Sequence, residues 1–239
     1  MTLTLDSVVA GRAGFAVGPV DLVAPDGSFV ALIGPNGGGK TTLLKTIAGL
    51  LPALSGNLRF DGGTPAFLPP PGALFVSLPT GHVVAMGRAA RRGWSPVFST
   101  SDLHAARHAL EQLGIGDLAS RAFDRLSSGQ QQLALIARLL VQDARLCLLD
   151  EPTALLDPSH AADVERAIRT LTDAGRTVIA SSHHLGLAAR ADQVVAIGAS
   201  VRVGPPSELL QSAALSALYG TPVTLCACCH QPISETTSA

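Results

Sequence analysis

A glycine-rich run constrains the fold of this chain more than any other feature. It reads Gly-Pro-Asn-Gly-Gly-Gly-Lys-Thr and spans residues 34–41. The apolar residues before it, Phe29–Ile33, predict a short buried strand, and residues 41–51 after it carry apolar side chains at helical spacing. Strand, glycine-rich turn and helix in this order form the context that a phosphate-binding loop requires. The run therefore predicts an α/β fold that binds a nucleoside triphosphate.

Two further apolar runs predict strands that end in polar residues. Leu146–Leu149 is followed by the carboxylates Asp150 and Glu151, and residues 177–180 are followed by serines and histidines. Open α/β sheets bind their ligands at the carboxyl ends of their strands. We therefore expect the functional residues to lie along one edge of a sheet.

Composition excludes several classes of protein. A chain of 239 residues with 47% apolar content can form a packed core, so it is not a disordered protein. Its net charge of -1 gives no general attraction to nucleic acid, and no nucleic-acid partner is expected. The sequence has no run of about eighteen apolar residues to span a bilayer. It also lacks the basic-then-apolar start of a secretory signal, so we expect a cytosolic chain.

The cysteines do not suggest a disulfide framework. Cys147 lies in an apolar run and is expected to be a small core residue. Cys226, Cys228, Cys229 and His230 form a cluster of soft-metal ligands near the end of the chain, but its spacing matches none of the zinc patterns. A metal site and a mobile tail are the two alternatives for this cluster.

The phosphate loop supplies several groups to a triphosphate. Backbone amides at residues 37–39 can approach phosphate because no side chain blocks them, and the next helix adds its positive end. Lys40 places a full charge near the transferring phosphoryl group, and Thr41 supplies a hydroxyl for Mg²⁺. The alternative is a glycine-rich turn without a ligand. The residues expected to contact ATP in this segment are Gly34, Pro35, Asn36, Gly37, Gly38, Gly39, Lys40, Thr41 and Thr42.

The acidic pair after the second strand predicts a metal site. Asp150 is expected to hold Mg²⁺, directly or through water. The alternative for Asp150 and Glu151 is a helix-capping acidic pair before Pro152.

A second motif, Leu-Ser-Ser-Gly-Gln at residues 126–130, narrows the class of protein. It precedes the acidic pair by some twenty residues, and a histidine follows in Ser-Ser-His-His-Leu. In this order and spacing, the motifs resemble the nucleotide-binding subunit of an ABC transporter, from about residue 3 to about residue 223. The resemblance implies a P-loop NTPase (RecA-like) α/β core with a parallel-sheet centre. It also implies an inserted α-helical subdomain and a small antiparallel β part near the N-terminus.

The resemblance also implies limits for these parts. We expect one ABC ATPase domain over residues 1–239, with residues 1–82 and 142–205 as its catalytic core and residues 83–141 as its helical subdomain. Residues 206–239 are expected to form a small C-terminal extension and a frayed tail. The proline-rich residues 65–79 are expected to be the hinge between the lobes.

Several side chains receive roles from the resemblance. Glu151 matches the general base that polarises the attacking water, and His183 matches the switch histidine that reaches the γ-phosphate; with Lys40 they are the expected catalytic residues. Asp157 matches the aspartate that contacts the second copy in a dimer. Phe15 lies where the family stacks an aromatic ring on adenine, and an ordinary core residue is the alternative.

The Leu-Ser-Ser-Gly-Gln motif implies a dimer. In the family, Ser127, Ser128, Gly129 and Gln130 would bind the γ-phosphate held by the other copy, so that two copies clamp two ATP molecules head to tail. Ser128 replaces the usual glycine. A serine at positive φ is strained, so we expect weaker closure if the turn requires that conformation.

A second departure concerns a glutamine. The family places it after an edge strand to touch Mg²⁺ and the attacking water, and the matching string here is Phe-Leu-Pro-Pro, ending at Pro70. Proline has neither a side-chain oxygen nor a backbone donor. We expect hydrolysis to survive at a reduced rate because Lys40, Asp150 and Glu151 are present.

The implied cofactors are ATP and Mg²⁺, and the implied partners are a second copy, transmembrane permease subunits and, indirectly, an extracytoplasmic solute-binding protein. This places the chain at the cytoplasmic face of the membrane. Residues 69–88, with exposed Leu, Phe and Val, are expected to dock a permease helix; a buried hinge is the alternative. Softer similarities favour importers of iron-siderophores, haem or cobalamin. An exporter ATPase and a soluble non-transport ABC ATPase are the alternatives.

Overall fold

A computed structural model describes residues 2–12, 14–72, 76–89, 98–225 and 232–233. The chain divides into two compact units. The first unit is formed by Met1–Asp61 and Ile179–Ala239, and the second by Gly62–Val178. One strand, β7 (Thr177–Ser181), begins in the second unit and ends in the first.

The first unit contains strands from both ends of the chain and four described helices, two of which are only four residues long. Its elements are β1 (Leu3–Arg12), β2 (Phe15–Ala24), β3 (Phe29–Ile33), α1 (Lys40–Ile47), β4 (Ala53–Arg59), α6 (Leu185–Ala188), β8 (Gln193–Ile197), β9 (Val201–Gly204), α7 (Pro206–Leu209), α8 (Ser212–Tyr219), β10 (Thr224–Leu225) and β11 (Pro232–Ile233).

An antiparallel sheet lies near the N-terminus. Its strand order is β2-β1-β4, and its register pairs Leu3 with Ala24 and Leu5 with Leu22. Leu3 and Leu5 are buried, because alternate residues of a strand point to the same face and one face is covered. The antiparallel part expected from the sequence is therefore confirmed.

The strand that precedes the glycine-rich loop belongs to a parallel pair. Strand β3 pairs in parallel with β8, from Val30 opposite Gln193 to Ile33 opposite Ala196, and β8 continues antiparallel to β9. All five residues of β3 are buried. A parallel strand covered on both faces has a continuous apolar sequence, which explains why this run shows no alternation.

The second unit consists of two paired strands and a group of helices. Its elements are β5 (Ala66–Leu68), α2 (Thr80–Ala85), α3 (Thr100–Gln112), α4 (Ser128–Gln142), β6 (Leu146–Leu149) and α5 (Pro158–Asp173), with 3₁₀ turns at Met86–Arg88, Gly116–Ser120 and Phe123–Arg125.

Strands β5 and β6 pair in parallel, with Ala66 opposite Cys147 and Leu68 opposite Leu149. Helices α2, α3 and α4 contact one another, and α4 also contacts α5. Phe123, Leu110 and Ile136 are buried at or below 1% exposure and form part of this core. Among the described residues between β5 and β6, three α-helices are thus found, α2, α3 and α4.

The ends of these helices have identifiable stabilising groups. Ser99 and Asp102 form a capping box at the start of α3, and Arg88 Nε lies 2.9 Å from Asp102 Oδ1. At the end of α4, the buried guanidinium of Arg176 donates to Leu139 O at 2.7 Å and to Leu140 O at 3.0 Å. These bonds satisfy carbonyls that a helix end leaves without an intrahelical partner.

The predicted elements agree closely with the observed ones. Strands Phe29–Ile33 and Leu146–Leu149 are confirmed, and the third strand is one residue longer than expected. Helix α1 ends earlier than its apolar spacing suggests, because Gly49 follows its C-cap at φ 72°. Residues 65–79, expected to be a hinge, contain β5. Within the segment expected to be frayed, β10 and β11 form a short antiparallel pair.

Candidate active site

The phosphate loop begins where β3 ends and finishes at the first residue of α1. Gly39 is the N-cap of α1, with φ 100°, and it contributes no side-chain cap. A Cβ at this position would lie 2.0 Å from Val17 Cγ2 and 3.0 Å from Phe15 Cζ. Only glycine fits this close approach. The first amides of α1 lack intrahelical partners, so the loop presents donors and a positive helix end to an anion.

Lys40 is held inside the loop that precedes it. Its side chain is buried, and Nζ donates to Gly34 O at 2.9 Å and to Pro35 O at 3.1 Å. The carbonyls of the loop thus fix the ammonium group at the start of α1. A buried ammonium group requires such partners, because transferring an unpaired charge out of water is costly. The loop therefore binds the ammonium group of Lys40 next to a set of backbone N–H donors.

The histidine after β7 reaches the same lysine. His183 Nε2 lies 3.2 Å from Lys40 Nζ, and Ser182 N donates to Leu32 O at 3.0 Å, which ties the end of β7 to β3. His184 is exposed, and its amide donates to Ser182 Oγ at 2.8 Å. The structure therefore brings His183 to Lys40 in the loop.

Phe15 lies against the loop and is partly exposed. Its ring edge is one of two groups close to Gly39, the other being Val17, and 38% of the residue is accessible to solvent. An ordinary core residue would be covered on all sides. Phe15 is instead partly exposed next to the phosphate loop, and partial exposure is a requirement for a ring that stacks on a base.

The acidic pair follows strand β6 in the second unit. Asp150 is fully buried, and its amide donates to Leu68 O at 2.9 Å, which extends the β5–β6 pairing by one bond. Glu151 has a left-handed backbone, with φ 48°. A non-glycine residue at positive φ is uncommon, and such residues cluster at functional sites. The sequence shows no sign of this conformation at Glu151.

A second left-handed residue follows four positions later. Leu155 has φ 61° and is 88% exposed. It stands just before Asp157, the N-cap of α5. The segment from Glu151 to Asp157 therefore contains an apolar side chain that projects into solvent.

The Leu-Ser-Ser-Gly-Gln motif forms the start of α4. Ser127 is the N-cap; Gln130 N donates to Ser127 Oγ at 3.3 Å, and Ser127 N donates to Gln130 Oε1 at 3.2 Å. This capping box satisfies two backbone groups of the first turn. Ser127 and Ser128 are exposed, while Gly129 is buried. The motif therefore lies at a helix start, where backbone N–H groups can face an anion.

Ser128 does not have the positive φ that would strain a serine. Ser128 is the first residue of α4 and is not among the non-glycine residues with positive φ, which in the described chain are Ser7, Asp143, Glu151 and Leu155. Serine is acceptable at a helix start, where its backbone is right-handed. The condition under which Ser128 would weaken closure, a positive φ, is therefore not met.

Asp157 is held by the residues that follow it. Its Oδ1 accepts from Ser159 N at 3.0 Å, Ser159 Oγ at 2.6 Å and His160 N at 3.1 Å, and its Oδ2 lies 2.5 Å from His160 Nδ1. The hydrogen bonds from the Ser159 side chain, then those from the His160 side chain and amide, hold the pKa of Asp157 far below its ordinary value. The carboxylate is thus ionised and fixed in direction. Its contact with His160 was not anticipated from the sequence.

Residues 69–88 expose less than the sequence suggested. Val83 and Val84 are fully buried in α2, and Val76 and Leu78 are half-buried. The expectation of exposed valines is therefore wrong for α2, because its short apolar face packs on α3 and α4. The expected leucine and phenylalanine at positions 74 and 75 lie outside the described residues.

The two cysteine predictions have different outcomes. Cys147 is fully buried in β6, as expected of a core residue, and burial raises the pKa of its thiol to about 12. The cluster of Cys226, Cys228, Cys229 and His230 lies outside the described residues. Within the described part of the chain, no group of three or more His, Cys, Asp or Glu side chains is arranged to hold a metal ion. In the same part, no helix combines the length and apolarity needed to cross a membrane.

The strand–loop–helix unit with a buried lysine defines a P-loop nucleotide-binding fold. Comparisons with known proteins make the class narrower. The family model described as ABC transporter matches residues 17–154. The zinc transport system ATP-binding protein TroB of Treponema pallidum is 37% identical over 75% of this chain and 71% of its own length. The hemin import ATP-binding protein HmuV of Streptomyces coelicolor is 37% identical over 85% of this chain and 78% of its own.

Solved structures that resemble this chain are also ABC transporter structures. A transporter assigned to the metal-chelate ABC type, in an inward-facing conformation, superimposes with a TM-score of 0.87 and 25% identity, covering 98% of both chains. The dimeric post-hydrolysis cassette MJ0796 with ADP and Pi has a TM-score of 0.71 at 22% identity, over 85% of this chain and 98% of its own, which shows a shared fold. The chain belongs to the ABC transporter family and is its ATP-binding, ATP-hydrolysing subunit. The fold class predicted from the sequence is thereby confirmed.

Proposed function

We propose that this chain works as a homodimer that hydrolyses ATP to energise a membrane permease for a metal-chelate-type solute. The observation that carries the proposal is the presence, in one chain, of a phosphate loop with a seated lysine and a second exposed helix start at Ser127. One loop is sufficient to hold a nucleotide. In a dimer, the separate helix start at Ser127 can contact the nucleotide that the other copy binds.

The first unit supplies the nucleotide seat in this proposal. Amides of Gly37, Gly38 and Gly39 and the start of α1 bind the phosphates, while Lys40 neutralises their charge. The buried ammonium group and its bonds to two loop carbonyls support this role, because the charge is already removed from water and fixed in position before the nucleotide binds. Phe15 stacks on the adenine, and His183 contacts the γ-phosphate.

The second unit supplies the base and the contact to the partner copy. Glu151 polarises the attacking water, a role that its left-handed backbone supports. Ser127, Ser128, Gly129 and Gln130 bind the partner copy's ATP, and Asp157 contacts the partner copy. A two-fold dimer places each donor surface opposite the matching acceptor surface.

Mg²⁺ is the proposed metal cofactor, held by Thr41 and Asp150. Hydroxyl and carboxylate oxygens are the donor types that this ion prefers. Asp150 is fully buried at the end of β6, and Thr41 is half-buried in the first turn of α1. When bound, the ion would neutralise charge on the β- and γ-phosphates.

The proposed partners are transmembrane permease subunits, with a solute-binding protein acting indirectly outside the membrane. The chain would then lie peripherally at the cytoplasmic face. Relatives named for import of hemin in Streptomyces coelicolor and transport of zinc in Treponema pallidum support a metal or metal-chelate solute. Purified chain, reconstituted with its permease and binding protein in liposomes, should hydrolyse ATP faster with one of hemin, a ferric siderophore, zinc or manganese. Equal stimulation by all four, or by none, would contradict an importer of this kind.

Two variants test the nucleotide chemistry. Glu151→Gln should bind ATP but lower the turnover rate by about 10²–10⁴, the range for general-base catalysis, and should accumulate as an ATP-bound dimer. Lys40→Ala should instead weaken ATP binding itself. Size-exclusion chromatography with light scattering and calorimetric titration separate the two effects. Glu111→Gln, an exposed glutamate on α3, is the matched control and should behave as the parent. Hydrolysis by Glu151→Gln at the parent rate would remove the base assignment.

A further inference from the structure

Helices α4 and α5 meet at one glycine and one histidine. Gly129 is the second residue of α4, and a Cβ there would lie 2.3 Å from His160 Cδ2, 2.4 Å from Cγ and 2.7 Å from Cβ. All three distances are far shorter than a normal carbon contact. The bare backbone of Gly129 therefore rests against the imidazole ring and stem of His160.

A glycine in this position has a cost that the contact explains. Glycine in a helix interior is less favourable than alanine by about 1 kcal/mol. Gly129 is buried, and its place in the first turn has a right-handed backbone, so no left-handed conformation requires it. The requirement comes from the neighbour: any side chain at this position would displace His160.

The other edge of the same imidazole is fixed by a carboxylate. His160 Nδ1 lies 2.5 Å from Asp157 Oδ2, while Asp157 Oδ1 caps α5 through Ser159 N and His160 N. Both carboxylate oxygens are therefore engaged, and the ring has one preferred direction. The side chain of His160 is 33% exposed. Its ring therefore contacts Gly129 on one edge and Asp157 on another, and the remainder is accessible to solvent.

We propose that His160 is a positioning residue that holds the start of α4 and the start of α5 in one fixed arrangement. Ser127, at the start of α4, and Asp157, at the start of α5, are then presented together to the second copy. The inference rests on the proposed function, because it assumes that both residues contact a partner copy. His160 itself contacts no reacting atom; it acts through Gly129 and Asp157.

A pair of substitutions at His160 tests the two contacts separately. His160→Ala removes the ring and the bond to Asp157, whereas His160→Asn keeps a side-chain N–H at a similar reach. In the Glu151→Gln background, His160→Ala should raise the ATP concentration for half-maximal dimer formation about 2- to 10-fold, the effect of one lost hydrogen bond. His160→Asn should recover more than half of the loss. Light scattering across an ATP titration measures both values.

Binding of ADP separates positioning from general damage. ADP lacks the γ-phosphate that the partner copy would contact, so its affinity reports the loop around Lys40 alone. We expect unchanged ADP affinity in both His160 variants. His108→Ala, an exposed histidine on α3, is the matched control and should form dimers as the parent does.

The glycine offers a reciprocal experiment. Gly129→Ala should impair ATP-dependent dimer formation because its Cβ collides with the His160 ring and stem. Combining it with His160→Gly removes the three nearest atoms that the new Cβ would strike, so the double variant should dimerise better than Gly129→Ala alone. If the double variant is no better, the contact does not explain the glycine and the inference fails.

Three outcomes are distinguishable. A shifted ATP dependence with unchanged ADP affinity and rescue by His160→Asn supports the inference. Parent-like dimer formation by His160→Ala, or equal loss of ATP and ADP binding, overturns it while the proposed function stands. Failure of the Glu151→Gln protein with a native His160 to dimerise at any ATP concentration overturns the proposed function and the inference together.

Discussion

Lys40 and His183 share a hydrogen bond in the first unit, with 3.2 Å between Nζ and Nε2. An ammonium group has only donors, so Nε2 accepts and the ring proton resides on Nδ1. A cation and a neutral imidazole are therefore paired at the start of α1. An incoming phosphate group at the loop would meet both.

The histidine should affect turnover more than nucleotide affinity. We predict that His183→Ala lowers kcat about 10- to 100-fold, the effect of one lost hydrogen bond to a charged group. Affinity for ADP should change little, because Lys40 keeps its bonds to Gly34 and Pro35. His184→Ala alters the neighbouring exposed ring and is the control. Equal losses in the two variants would contradict a specific role for His183.

Lys40 should resist chemical modification. The chain has only two lysines, Lys40 and Lys45, and Lys40 is 6% exposed with its ammonium bonded to loop carbonyls. Reductive methylation should modify Lys45 first, and ATP should slow modification of Lys40 further. Cleavage after Leu43 or Leu44 separates the two sites for mass spectrometry. Similar rates of methylation at Lys40 and Lys45 would contradict the burial of Lys40 in the loop.

Phe15 should contribute to nucleotide affinity. We predict that Phe15→Ala raises the Kd for ATP roughly 5- to 100-fold, since stacking on a base contributes about 1–3 kcal/mol. Phe15→Tyr retains the ring and should stay near the parent. Val23→Ala changes another exposed side chain of β2 and serves as the control. Calorimetry decides the matter: an unchanged Kd for Phe15→Ala would favour a purely structural ring.

Restoring a glutamine at position 70 should raise the turnover rate. Pro70 is exposed and stands two residues after β5, whose last carbonyl, Leu68 O, accepts from the amide of Asp150. A glutamine side chain has room there and supplies an oxygen that proline lacks. Pro70→Gln should therefore hydrolyse ATP faster than the parent in a steady-state assay. Pro71→Gln is the control, and a lower or unchanged rate for Pro70→Gln would sink this idea.

Asp157 should make stability depend on pH in the acid range. Its pKa is depressed in the folded chain relative to the ordinary value of 3.8, so the unfolded chain binds its proton at higher pH than the folded one. The stabilisation is then present above about pH 4 and is lost as the pH falls towards the folded pKa. Asp157→Asn should reduce the free energy of unfolding at pH 7 and have a smaller effect at pH 3. Denaturant unfolding at both values measures this; an effect independent of pH would mean that the charge is irrelevant.

The sequence predicted the central elements of this fold well. Residues 29–33 and 146–149 have continuous apolar runs because they are covered on both faces, and such runs are easy to recognise. The phosphate loop was equally clear, since its glycines and lysine serve local geometry that the sequence order determines. The approach of His183 to Lys40, by contrast, depends on a strand distant in sequence.

Other features were beyond prediction because they depend on tertiary contacts. The backbone of Glu151 is left-handed, but glutamate is not a residue type that indicates this conformation. The sequence did not show whether Ser128 would need a positive φ, and the structure places it in the right-handed first turn of a helix. Val83 and Val84 were expected to be exposed, whereas packing of α2 buries them. A glycine inside a helical pattern was the one available signal for His160, because such a glycine usually indicates a close neighbour.

The backbone of Glu151 has a practical consequence for anyone preparing an inactive form of this protein. At φ 48°, a β-branched replacement such as valine or threonine would combine chemical loss with steric strain. Its lower yield or broken assembly would then be mistaken for a catalytic effect. Asparagine and glycine adopt this conformation readily, and glutamine keeps the side-chain shape. Comparing glutamine with asparagine at position 151 therefore separates the chemistry of the carboxylate from the tolerance of the turn.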